Sequence, residues 1–135
     1  MKNFPFLSLS QSLTLLRICV PIFFMAHAIV RISNGTIDQF AGFLSNKGFP
    51  YTIAMVWGIT AFEIVGGLAL LFGYFTKWVS LGFILMLIFG ILVIHAELGW
   101  FVGEHGTGGM EYSVALILAL IVIGASEEKM ILKQA

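Results

Sequence analysis

Apolar positions along the chain gather into four long windows, each holding at most one Asp, Glu, Lys or Arg: about 13–30 (LTLLRICVPIFFMAHAIV), 52–75, 78–95 (WVSLGFILMLIFGILVIH) and 110–126 (MEYSVALILALIVIGAS). A helix rises 1.5 Å per residue, so roughly 20 residues cross a hydrocarbon core of about 30 Å. Three windows approach that length and the fourth is short. Backbone groups in lipid must be satisfied within the segment itself, which makes each window a helix rather than a strand. The pattern predicts an all-α fold, a transmembrane four-helix bundle with antiparallel neighbours. The segment between the first two windows, RISNGTIDQFAGFLSNKGFPY, carries a shorter pattern of its own. Thr36 is placed to cap a helix whose Ile37, Phe40 and Leu44 share one face, and Gly48 and Pro50 end it. This reads as a short interfacial helix in the first outer loop.

Composition sharpens the membrane reading. The chain has 135 residues, 59% apolar and 10% charged, with a mean hydropathy of +1.01, where a soluble domain carries roughly a quarter charged residues. One domain over 1–135 accounts for the length. Seven Lys and Arg balance seven Asp and Glu, which leaves no electrostatic case for nucleic acid as a partner. The single cysteine, Cys19, lies inside the first window, so the chain builds neither a disulfide nor a CxxC redox pair. Ala26-His27-Ala28 has the form of a signal-peptide cleavage site, but Arg17 interrupts the apolar region and only Lys2 precedes it, so the first window reads as a retained helix. Lys2, Lys77, Lys129 and Lys133 fall on one side and Arg31 and Lys47 on the other, which predicts cytoplasmic N- and C-termini in a plasma or inner membrane. Asn34-Gly35-Thr36 fits a glycosylation triplet that recurs by chance and carries little weight.

Candidate chemistry begins with FEIVGG. Glu63 has no charged neighbour between Tyr51 and Lys77. Counted from the outer ends of the first two windows, Arg17 lies about 20 Å deep and Glu63 about 16 Å, at 1.5 Å per residue. Opposite charges at similar depth in lipid are expected to pair, because each alone costs several kcal/mol. The expectation is an Arg17–Glu63 pair, acting either as a clamp between helices or as a handler of ligand, protons or electrons. Gly66 and Gly67, one turn further on, would let a helix or a cofactor approach the carboxylate. His27, His95 and Glu111 close or open their windows at the outer end, with Glu97, Glu104 and His105 just beyond, so a polar funnel leading inward is expected there. No HxxxH or CxxC spacing supports a metal site. GEHGTGG at 103–109 follows no strand and lacks a lysine, so it is a turn and not a phosphate-binding loop.

Taken in order, LLR at 15–17, His27 with a basic residue four on, Gly48-Phe49-Pro50, Glu63-Ile64-Val65-Gly66-Gly67, Phe75-Thr76-Lys77, His95 and Gly108-Gly109-Met110-Glu111-Tyr112 resemble the DoxX family of small four-helix membrane proteins. Where the family pattern runs HG-x-x-K, this chain reads His27-Ala28-Ile29-Val30-Arg31, which keeps the charge and changes the packing. The resemblance implies an integral membrane protein. The family takes its name from subunits of a thiosulfate:quinone oxidoreductase, and other members are linked to thiol or quinone stress. Two functions are then expected to compete. In the first, an oxidoreductase subunit admits a quinone from the bilayer, with Arg17 and Glu63 orienting its polar head or a small anion and His27, His95 and Glu111 handling protons. In the second, a non-enzymatic scaffold docks a partner subunit on the 96–110 loop. Association of the chain with itself is compatible with either. With one cysteine and no haem, flavin or metal motif, electrons must come from elsewhere.

Overall fold

The computed structural model describes residues 6–101 and 108–134, and all of the regular structure among them is helical. Helix α1 spans Leu9–Ser33, longer at both ends than its apolar window, because Ser8 and Gln11 cap it reciprocally: the Ser8 hydroxyl accepts from the Gln11 N–H and the Gln11 side chain accepts from the Ser8 N–H. Helix α2 spans Ile37–Asn46, α3 Thr52–Phe72, α4 Thr76–Gly90 and α5 Glu111–Gln134. Thr36 precedes α2 as expected, but its hydroxyl bonds back to the Arg31 carbonyl instead of capping the new helix. The α3–α4 connection is tight: Gly73 and Phe75 both take left-handed backbone angles, at φ +79° and +51°. Beyond Gly90, α4 continues through one π-helical turn, Ile91–His95, and a single 3-10 turn, Ala96–Leu98.

Three stretches are long and apolar enough to cross a membrane, Leu9–Ser33, Thr52–Phe72 and Thr76–Leu98, whereas Glu111–Ser126 is shorter. Helix α1 packs on α3 and α4 on α5; contacts of α1 with α5 and of α3 with α4 close the ring. Two cores result. One holds Val20, Phe24, Leu70, Phe83, Leu116, Leu120 and Ile123, with the Phe24 and Phe83 rings stacked at 4.2 Å. The other lies where Ile37, Ala41 and Leu44 of α2 bury against Val56 of α3. We call this the α2 end and the opposite one the far end.

Burial of α2 resets the register that the sequence predicts. Because α2 covers the first turns of α3, α1 stops well short of the start of α3. A Cβ on Gly67 would lie 2.6 Å from Cγ of Met25, and one on Gly73 would lie 3.6 Å from the Arg17 guanidinium. Arg17 is therefore level with Gly73, ten residues or about 15 Å along α3 from Glu63. The expected Arg17–Glu63 pair does not form. Matching depths from the ends of the windows fails because the two ends are not level.

Candidate functional site

Glu63 finds its cation at the other end of α1. Arg31 Nη1 donates to Glu63 Oε2 at 2.6 Å and to Thr60 Oγ1 at 2.7 Å, while Nη2 lies 3.4 Å from Glu63 Oε1. The Thr60 hydroxyl in turn donates a hydrogen bond to the Val56 carbonyl at 2.8 Å. Thr60 and Glu63 are three apart on α3, so they share a face and meet the guanidinium together. Both side chains of the pair are largely buried, at 14% exposed for Arg31 and 6% for Glu63. Phe40 of α2 closes the arrangement, its ring centroid 5.4 Å from the guanidinium carbon. The segment that resets the register thus also covers the ion pair.

Beside this pair lies a chamber of about 420 Å³ walled by α1, α2, α3, α4 and α5. Phe24, Phe40, Met86, Phe89 and Leu116 supply apolar wall, and His27, Arg31, Glu63, His95, Tyr112 and Ser113 supply the polar groups. His95 reaches it from the π-helical turn, an irregularity that changes where the following side chains point. Its Nδ1 is buried, has no hydrogen-bond partner among the described residues, and faces the chamber wall at Gly108. His27 lines the chamber and also a groove of about 320 Å³ between α1 and α2, shared with Arg31, Phe40 and Gln39.

Of the sequence candidates, the structure brings His27, Glu63 and His95 together. Arg17 is at the far end. Glu111 is absent from the chamber wall, where its neighbours Tyr112 and Ser113 stand instead. Gly66 and Gly67 are also absent from it: Gly66 faces the Phe62 and Phe83 rings, and Gly67 is where Met25 and the Pro21 carbonyl press on α3. Glu97 forms an exposed ion pair with Lys47 at 2.7 Å. Glu104 and His105 lie outside the described residues. Among the described residues, no group of three metal-ligating side chains forms.

The family model for DoxX matches residues 12–96. This chain belongs to the DoxX family. It is an integral membrane protein by that membership and by its apolar helices. Neither a curated protein nor a solved structure matches it. The matched span contains His27, Arg31, Glu63 and His95 and ends before α5, so Tyr112 and Ser113 stand outside the part shared with the family model.

Sequence reasoning missed Arg31, Thr60, Phe40, Tyr112 and Ser113. A signal for the first three was present. Ile37, Ala41 and Leu44 form an apolar face wide enough to demand a protein partner, and α3 is the next helix in the chain. Docking α2 there draws the end of α1 down toward Glu63. Tyr112 and Ser113 carry no comparable signal.

Proposed function

We propose that this DoxX-family chain crosses the membrane four times, as an antiparallel bundle with both termini cytoplasmic and α2 at the outer interface, and that its chamber binds a quinone-class ring compound serving thiol or sulfur redox chemistry. The observation that carries the reading is the buried Nδ1 of His95, which has no hydrogen-bond partner among the described residues and sits on a side chain that lines a chamber with mainly apolar and aromatic walls. A buried polar atom left unmatched costs about 1–3 kcal/mol, which a ring carbonyl would recover by accepting from the imidazole. The chamber volume, about 420 Å³, is in the range of small-molecule sites, roughly 300–1,000 Å³.

A bound quinone supplies a two-electron, two-proton couple. The chain's own groups do the rest. His95 holds a proton at Nδ1 against the ring oxygen. Arg31, fixed by Glu63 and Thr60, presents positive charge where negative charge develops on reduction. The Tyr112 and Ser113 hydroxyls offer further donors, and the apolar walls limit water. His27, on both the chamber and the α1–α2 groove, is placed to pass protons between them. Electrons come from a thiol or reduced sulfur donor on a partner protein, since the chain has only Cys19.

Solvent extraction of the purified protein, with quinone quantified by chromatography, tests the reading. Wild type is expected to carry quinone in near-stoichiometric amount and His95→Phe markedly less. Quinone no higher than in an unrelated membrane protein from the same detergent extract contradicts it.

A further inference from the structure

The chamber shares a wall with a second hollow that the chemistry above does not use. Between α3 and α4 runs a groove of about 360 Å³ lined by Met55, Gly58, Ile59, Phe62, Met86 and Phe89. Ile59, Met86 and Phe89 also line the chamber, so the two spaces share a wall. Aromatic contacts bound the groove at each end. Toward the far end Phe62 presses on α4 so closely that a Cβ on Gly82 would lie 2.6 Å from its ring. Toward the α2 end Phe49 and Phe89 meet edge-on at 5.4 Å. Between those contacts α3 presents Gly58, exposed and with nothing within 4 Å of where its Cβ would stand. The surface around it carries exposed Trp57 and Leu85, the character of a face turned to lipid. The groove itself has no ionisable side chain. The α1–α2 groove on the other side of the chamber is polar by contrast, with His27, Arg31, Thr36 and Gln39.

We infer that the ligand of this chamber is an amphiphile with a single long apolar tail, and that the tail leaves through the α3–α4 groove across Gly58 while the head stays beside Arg31 and His95. The inference rests on the ring-binding reading of the chamber. It adds the chemical class of the ligand, prenyl- or alkyl-tailed rather than freely soluble, and a residue that selects for the tail. A Cβ at Gly58 would meet no atom within 4 Å, and a longer side chain built on it would stand in the path of the tail.

The test compares two benzoquinone probes on wild type, Gly58→Leu and Ala61→Leu in lipid nanodiscs: one probe with a ten-carbon alkyl tail and one with the same ring and no tail. Ala61 is an exposed α3 position outside both spaces and controls for added bulk on that helix. The expected result is that Gly58→Leu weakens binding of the tailed probe by about tenfold and of the tailless probe by less than about twofold, with Ala61→Leu changing neither. Equal affinity of the tailed probe for wild type and Gly58→Leu overturns the tail path and leaves ring binding standing. Failure of both probes to bind wild type overturns ring binding itself, and the tail path with it.

Discussion

The two ends of the molecule are packed by opposite rules. At the far end helices meet through small residues: Met25 and the Pro21 carbonyl press on Gly67, and Ser80 lies against Gly124. At the α2 end the helices part around a chamber, a buried ion pair and two grooves. The same α1 and α3 build both ends. The difference arises from α2, which wedges its apolar face against the start of α3, and from the π turn of α4. Close packing fixes the pair of helices at one end so that the other can hold polar groups and empty space without collapsing.

The largest effect that would break this contrast is expected at the ion pair. Glu63→Gln leaves the Arg31 guanidinium buried without its counter-charge and should cost about 3–5 kcal/mol, whereas Arg31→Met with Glu63→Met together should be nearly neutral. Unfolding in mixed micelles measures both, and a single-variant loss below about 1 kcal/mol would mean that water already screens the pair. A smaller effect separates two glycines of one helix. Gly67→Ala places a Cβ 2.6 Å from Met25 and is expected to cost about 1–3 kcal/mol by overpacking. Gly58→Ala meets open space and should stabilise by roughly 0.5–1 kcal/mol through helix propensity. Equal responses in the same unfolding assay would erase the distinction between the ends. The smallest effect is expected at Lys47, whose Glu97 partner is 72% exposed; Lys47→Ala should change stability by less than about 1 kcal/mol.

The sequence shows the membrane class and the helices because both depend on local pattern, the apolar windows above all. It marks Glu63 as a residue in need of a cation, because a carboxylate in so apolar a run needs a partner wherever it sits. The identity of that partner depends on register, which is not local. Arg17 and Arg31 both lie on α1, and counting from window ends favours Arg17. The choice of Arg31 follows from α2 docking on α3, which shifts the end of α1 by two turns or more. The face expected from Ile37, Phe40 and Leu44 is a core face, completed by Ala41 and packed on Val56, and that docking is what leads to Arg31. His27 and His95 were legible from their positions near helix ends. Tyr112 and Ser113 were not, because Glu111 beside them carries the stronger chemical signal and only the rotation of α5 decides which of the three faces inward.

On the proposed function, the buried pair and its chamber form a ligand site and not only a clamp between helices. The most direct measurement is quinone content in the folded Arg31→Met, Glu63→Met double variant, purified beside wild type. A protein that folds as wild type does and carries little or no quinone is the expected result; a folded double variant with wild-type quinone content would contradict the claim and leave the pair as a clamp.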